Sequence, residues 1–397
     1  MIQILKPTNS EKIKKIMLDI RVDRYGIGLM LPKAAFFTVR MDSLSNITAN
    51  ILKQEMLSLG GDVAVSRDSL TGKTKKTDCL LIGNLSQFDR LNRKLKSQPF
   101  GLSGLSEDLA QALNNYRKKN FFWELPRYKL NLSQRTHIMG IINCTPDSFS
   151  GDGLCGSPDL IFEHAQQLVR EGADIIDVGG ESSRPQAKAV SLKVELRRVL
   201  PVVKMLAKKI KVPISVDTYK PEVAKAALES GAQIINDITG LRNPKMSGLI
   251  AKYGAGVVIM HMKGTPRNMQ KNPNYVSLMN DICGYLNAAV SRAENAGIKK
   301  EKIVIDPGIG FGKTLNHNLE ILNKLEQLKV LGFPILVGVS RKSFVGKLLN
   351  IATPAERIFG TLGASVLAAG VGAKILRTHD VRETKQALTI VDKINNI

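Results

Sequence analysis

Short apolar runs, each ending in a polar or charged residue, recur through the last two-thirds of this chain. They are His137–Ile142 ending at Asn143, Asp174–Val178 ending at Gly179–Glu181, Ile214–Val216 ending at Asp217, and Gln233–Ile235 ending at Asn236. Four more follow: Val257–Met260 before His261, Ile303–Ile305 before Asp306, Ile335–Val339 before Ser340–Lys342, and Ile375–Leu376 before Arg377 and His379. Stretches of helical length lie between them, among them Ser191–Lys209, Pro221–Ser230, Tyr275–Gly297 and Asn316–Leu331. Eight strand–helix units predict an α/β chain whose residues 125–397 form a (β/α)8 TIM barrel, a fold of about 250 residues. Barrels of this kind carry their chemistry at the C-terminal strand ends, so the polar run ends are the candidate site.

Residues 1–124 lack the eightfold pattern and predict a small α/β domain to which no motif assigns a role. Ala35–Met41, Val63–Val65 and Cys79–Ile82 read as strands, and Asn46–Leu59 as a helix closed by Gly60–Gly61. Ser106, followed by Glu107 and Asp108, reads as a helix start. Leu125–Pro126 is the expected junction, and Arg127–Gln134 alternates as a short hairpin plugging the barrel floor does. Residues 125–397 are expected to work without the first domain.

Composition narrows the classes. A 397-residue chain with 43% apolar and 23% charged residues is a folded globular protein of more than one domain. No apolar run approaches the roughly 18–20 residues a membrane span needs, and the N-terminus lacks a secretory h-region. Cys79, Cys144, Cys155 and Cys283 are far apart with no CxxC spacing, which signals neither zinc nor a disulfide framework; a reducing cytoplasm is the expectation. The net charge of +22 is spread along the chain: 22 basic against 12 acidic residues in 1–130, and 35 against 23 in 131–397. Without a basic tract interleaved with aromatics, that charge points to an anionic small molecule and not to nucleic acid or a membrane.

The strand-end residues divide by chemistry. Asn143, opening the loop Asn143–Gly153, offers a carbonyl oxygen suited to Mg²⁺; Asn is also an ordinary turn residue. Gly179–Pro185 supplies hydroxyls, backbone N–H groups and the Arg184 guanidinium, a set that suits phosphate. Asp217, Asn236 and Asp306 would face inward together, where a flat heterocycle with adjacent N–H and NH₂ groups would satisfy the carboxylates. Capping of the following helix is the alternative for Asp217. Ser340–Ser343 brings two cations, and Arg377 and His379 alternate on the last strand and so share a face. Asp306–Lys313 is Gly-rich but one residue short of a P-loop. One half of the site therefore suits a donor-rich ring and the other a polyphosphate.

The segments MGIINCTPDSFS, GADIIDVGGESSRP, ISVDTYKPEVAKAALESGAQIINDITG, VVIMHMKGTPRNMQ, IVIDPGIGFGKTLNHNLEIL, PILVGVSRKSFVG and ILRTHDV occur in this order. Together they make residues 127–397 closely resemble the dihydropteroate synthase family. The resemblance implies a transferase of folate biosynthesis that joins 6-hydroxymethyl-7,8-dihydropterin pyrophosphate to p-aminobenzoate, releasing pyrophosphate. It implies that Asp217, Asn236 and Asp306 hold the pterin edge with Lys342 beside them, that Arg377 stacks on the ring, and that Met260 and Phe311 line the pocket. It places Mg²⁺ on Asn143 and the pyrophosphate among Ser183, Arg184, Arg377 and His379. Asp147, Phe149 and Pro185 would close on p-aminobenzoate, whose carboxylate would meet Ser343. Asn143, Asp147, Lys342, Arg377 and His379 are the expected catalytic set, and a homodimer is the family expectation. Loop two departs from the family's E-S-T-R-P-G at Ser183 and Gln186. A pterin-dependent methyltransferase or a non-catalytic pterin-binding paralogue would share the barrel but would not need the phosphate cluster.

Overall fold

A computed structural model describes residues 2, 3, 5, 10–71, 73–145, 158–182 and 189–395. The chain divides into two compact units, Met1–Asn114 and Asn115–Ile397. The boundary falls upstream of the expected Leu125–Pro126 junction.

The first unit holds strands β1 (Phe36–Ser45), β2 (Asp62–Val65) and β3 (Lys76–Asn84) in an antiparallel sheet of order β1-β3-β2. Leu52 and Met56 of the Asn46–Ser58 helix and Phe88, Leu91 and Leu95 of the Leu85–Leu95 helix bury against Val63 and Leu81 of the sheet. Ser45 caps the first of these helices by accepting from the Thr48 N–H, and Gly60 beyond its end takes φ +79°. Ser106 is not a helix start. It lies inside the Leu102–Arg117 helix, where its buried hydroxyl donates to the Asn92 carbonyl at 2.9 Å.

The second unit opens with a hairpin, β4 (Phe122–Glu124) and β5 (Lys129–Asn131). Eight parallel strands follow: β6 (His137–Asn143), β7 (Ile175–Gly179), β8 (Ile214–Asp217), β9 (Ile234–Asp237), β10 (Gly256–Met260), β11 (Ile303–Asp306), β12 (Ile335–Val337) and β13 (Ala373–Thr378). They pair in sequence order and close β13 onto β6. Each expected apolar run became one of these strands.

Alternation along the strands sorts their side chains. Ile138, Ile176, Val216, Ile235, Ile259, Ile305, Val337 and Leu376 face the surrounding helices. Their neighbours Met139, Ile175, Ile234, Val258, Val304, Leu336 and Ile375 fill the barrel interior together with Trp123, Leu125 and Leu132. Trp123 is fully buried and its indole N–H donates to the Lys302 carbonyl just before β11, so the hairpin closes the floor at the N-terminal strand ends. Gly256, the first residue of β10, has room for no side chain: a Cβ there would lie 2.4 Å from Leu125. The floor is packed hydrocarbon, and the polar end of the barrel is the opposite one. No helix among the described residues is long and apolar enough to cross a membrane.

Candidate active site

Two residues beyond the floor layer, the inward register changes from apolar to polar. It carries Asp177 on β7, Asp217 on β8, Asn236 on β9, Met260 on β10, Asp306 on β11 and Arg377 on β13, with Asn143 at the tip of β6. Parity explains why Asn236 and not Asp237 belongs here. Asp237 points outward and spends its carboxylate on the Thr239 and Leu241 N–H groups.

Arg377 sits at the centre. Its Nε donates to Asp177 Oδ2 at 2.6 Å and its Nη2 to Asp217 Oδ2 at 3.0 Å. The Asn236 amide donates to the same Asp177 oxygen at 3.2 Å. Asp217 is therefore not a helix cap: the next helix, Pro221–Glu229, begins after Lys220, which makes no side-chain cap bond. Burial pushes the Asp217 carboxyl up to about 7, with the Arg377 guanidinium pulling it down. Burial works against the Arg377 charge, but Asp177 and Asp217 hold it above the usual value. Asp306 is raised by burial and opposed by Lys342; one of its oxygens accepts from the Gly308 N–H at 2.7 Å. The group is a cluster of carboxylates that retains acceptor capacity for a ligand.

Beside it lies an apolar wall. Met260 and Phe311 pack with Ile238, Met262 and Met269. Lys342 Nζ stands 4.8 Å from the centre of the Phe311 ring and donates to the Ile309 carbonyl. Burial lowers the Lys342 ammonium to about 8, with Asp306 acting to raise it. Gly338 lines the same space, where a Cβ would make ordinary contact with Arg377 Cβ at 3.7 Å and Lys342 Nζ at 3.9 Å.

On the other side, His379 Nδ1 lies 2.9 Å from Ser340 Oγ and its Nε2 3.4 Å from the Asn143 amide nitrogen. Of the two cations expected at Ser340–Ser343, Arg341 pairs with Asp380 at 2.5 and 3.2 Å and Lys342 stands beside Phe311, and both line the cavity of the site. One cavity of about 390 Å³ is lined by Asn143, Asp217, Phe311, Lys342, Ser343, Arg377 and His379. Asn236, Met260 and Asp306, expected beside the ligand, are buried and do not line it. Asp147, Phe149, Ser183, Arg184 and Pro185 lie outside the described residues, as does Gln186.

Two features escaped the sequence reading. Asp177 is fully buried and joins Arg377 to Asn236, yet it sits inside an apolar run and not at its end; inward parity with Ile175 was the available signal. The second is a buried ion cluster. Lys220 Nζ donates to Glu181 and Glu195, both at 2.5 Å, and to the Val190 carbonyl at 2.7 Å, tying the described flanks of loop two to the helix after β8.

The sequence profile of the pterin binding enzymes matches residues 139–379. The dihydropteroate synthase of Escherichia coli K12 is 47% identical over 256 residues, covering 64% of this chain and 90% of that protein. A probable bifunctional folylpolyglutamate synthase/dihydropteroate synthase of Halobacterium salinarum is 40% identical over 348 residues, 87% of this chain and 41% of that protein. That match is longer than the barrel unit alone can supply, so it includes part of the N-terminal unit. The crystal structure of Xanthomonas albilineans dihydropteroate synthase with 4-aminobenzoic acid superposes with a TM-score of 0.66 at 41% identity, covering 70% of this chain and 99% of that one. With an eight-stranded barrel, the inward carboxylate and amide set and a match over most of its length, this chain belongs to the dihydropteroate synthase family of pterin-binding enzymes.

Proposed function

We propose that the mouth of this barrel joins 6-hydroxymethyl-7,8-dihydropterin pyrophosphate to p-aminobenzoate, and that Asp217, Asn236, Asp306, Lys342, Arg377 and His379 do the work. The observation that carries this reading is one cavity lined by Asp217, Lys342, Arg377 and His379, in which Arg377 is bonded to Asp217 and to the buried Asp177 that also accepts from the Asn236 amide. The pterin's adjacent N–H and NH₂ groups match carboxylate oxygens, and Met260 and Phe311 give its face an apolar wall. Ser343, with Asp147 and Phe149 of loop one and Pro185 of loop two, is assigned to p-aminobenzoate, and Ser183 and Arg184 to the pyrophosphate.

An arylamine is neutral at pH 7 and nucleophilic without a base. The barrier lies in breaking the methylene C–O bond, whose electron pair leaves with pyrophosphate. The amine nitrogen then bonds to the methylene carbon and sheds a proton to water. Arg377 and His379 would stabilise charge developing on the leaving oxygen, and the electron-rich pterin can carry positive charge at its methylene, which favours a dissociative, SN1-like step. Among the described residues no three His, Cys, Asp or Glu side chains converge to hold a metal. Asn143 would offer Mg²⁺ its side-chain carbonyl oxygen, and the ion would supply neutralisation of pyrophosphate charge.

The chain is proposed to work as a cytoplasmic homodimer. Phe359, Gly363, Leu367 and Gly370 form an exposed uncharged stripe along the Ile358–Gly370 helix, beside exposed Leu348 and Leu349, a surface that suits a second copy. Among the described residues, buried Cys79 and half-buried Cys283 are free thiols, in keeping with a reducing compartment. The deciding assay mixes protein, Mg²⁺ and both substrates and follows pyrophosphate and dihydropteroate together. Coupled appearance supports the reading; pterin binding with no turnover would sink it.

A further inference from the structure

The loop after β11 is held more tightly than lining a pocket requires. Four consecutive carbonyls each accept from a different side chain: Ile309 from Lys342, Gly310 from Gln270 at 2.7 Å, Phe311 from Lys313 at 3.0 Å, and Gly312 from Tyr275 at 2.7 Å. The N–H groups are engaged as well, Gly308 with the Asp306 carboxylate and Gly310 with Asn318 Oδ1, both at 2.7 Å. Gly308, Gly310 and Gly312 take φ of +67°, +83° and +65°, which folds the loop back on itself. A Cβ at Gly308 would lie 1.9 Å from the His261 carbonyl oxygen. Asp306 at the start of this loop and Phe311 near its end are the residues assigned above to the edge and the face of the pterin.

Lys313 is the unexplained member of the set. It is 3% exposed, and its second partner is His261 Nδ1 at 2.9 Å, not a carboxylate. His261 is equally buried, with its ring edge-on to Tyr285 at 4.9 Å. Burial, reinforced by Lys313, pushes the His261 imidazole down to about 2, so it is neutral and a ring nitrogen can face the lysine. His261 follows Met260 on β10, and its N–H donates to the Asp306 carbonyl at 2.9 Å. The pair therefore reaches both ends of the loop: His261 at Asp306, and Lys313 at Phe311.

We propose that Lys313 and His261 are positioning residues for the pterin, a buried clamp that sets the spacing between Asp306 at the ring's edge and Phe311 at its face. The clamp rests on the assignment of Asp306 and Phe311 to the pterin. It contacts neither substrate and takes no part in proton transfer.

Lys313→Met keeps length and volume, and burying a methionine in place of a lysine need not weaken a fold. Titration of the full-length protein with the dihydropterin pyrophosphate, without p-aminobenzoate, reads the clamp directly. Lys313→Met and His261→Phe are each expected to weaken that Kd by about tenfold or more, with the KM for p-aminobenzoate changed by less than about threefold. His261→Asn, whose amide can stand where Nδ1 stood, is expected to recover most of the loss. Pterin affinity within about twofold of the parent in both variants, or equal losses for both substrates, would overturn the proposal. So would His261→Asn failing as badly as His261→Phe. Asp306→Asn and Phe311→Ala, titrated in parallel, separate the two levels. If these also leave pterin affinity intact, the assignment of the pocket fails and the clamp with it; if they weaken it and Lys313→Met does not, the clamp alone fails.

Discussion

Arg377 holds two carboxylates and yet leaves the site acidic, and the consequences are measurable residue by residue. Asp306 gives one oxygen to the Gly308 N–H, so its substitution by Asn changes charge more than shape. Charge-assisted hydrogen bonds contribute about 1.5–3 kcal/mol, so Asp306→Asn should weaken pterin binding by about 10- to 100-fold while leaving p-aminobenzoate binding nearly unchanged. Titrations with each substrate check this, and equal losses would remove Asp306 from the pterin edge. The pH profile follows from two opposed requirements. Asp217 must be ionised, and burial sets its carboxyl at about 7, so binding is lost as pH falls below that value. Lys342 must be protonated, and burial sets it at about 8, so binding is also lost as pH rises above that. The pterin affinity should be bell-shaped with a narrow top, and Lys342→Arg, which stays charged, should move the alkaline limb upward. An alkaline limb that stays in place would assign it to another group. Most of this cluster was legible in the sequence because run-end polar residues on separate strands share one mouth. Asp177 was not, because a single carboxylate within IIDVGG reads as an interruption until strand parity turns it inward beside Arg377.

At the scale of elements, the eight strands were readable because both faces of a barrel strand are buried, which produces continuous apolar runs. The helix Leu85–Leu95 was missed although Asn84 and Gln87 spell a capping box, which the structure forms in full. Asn316–Leu331 reads as one helix but is two, Leu315–Asn323 and a 3₁₀ stretch Leu325–Leu331, where Leu325 and Leu328 bury at a spacing of three. The floor hairpin was placed too late. Its first strand, Phe122–Glu124, is only three residues long and comes soon after a helix, and only the packed core shows that Trp123 belongs to the barrel. Trp123→Ala should cost about 3–5 kcal/mol, the range for emptying a fully buried aromatic site, measured by urea denaturation. Because the hairpin sits at the end opposite the cavity, KM values should hold; a loss of substrate affinity matching the loss of stability would mean that the floor and mouth are coupled.

For the whole molecule, the exposed stripe of the Ile358–Gly370 helix and the unit boundary each carry a consequence. Phe359 is 82% exposed with no charge beside it on its stripe. Phe359→Glu should shift sedimentation to the monomer while leaving the far-ultraviolet spectrum unchanged, and a parent that already sediments as a monomer would refute the homodimer. The boundary is the sharper test, because Leu125–Pro126 and Asn114–Asn115 differ by the segment that holds Trp123. Every described residue of the cavity lies in the second unit, so the N-terminal unit supplies none of the described site. A chain trimmed to residues 115–397 keeps Phe121, Trp123 and Leu125 in the barrel core and should fold and release pyrophosphate at close to the full-length rate. A chain trimmed to 126–397 loses all three from the floor and should aggregate, because several buried apolar side chains at about 1.5–3 kcal/mol each exceed the margin most domains possess. The shorter chain folding as well as the longer would show that the hairpin is dispensable. Loss of activity in residues 115–397 with the barrel still folded would instead give the first unit, part of which the Halobacterium relative shares, a role in turnover that no side chain of the described site supplies.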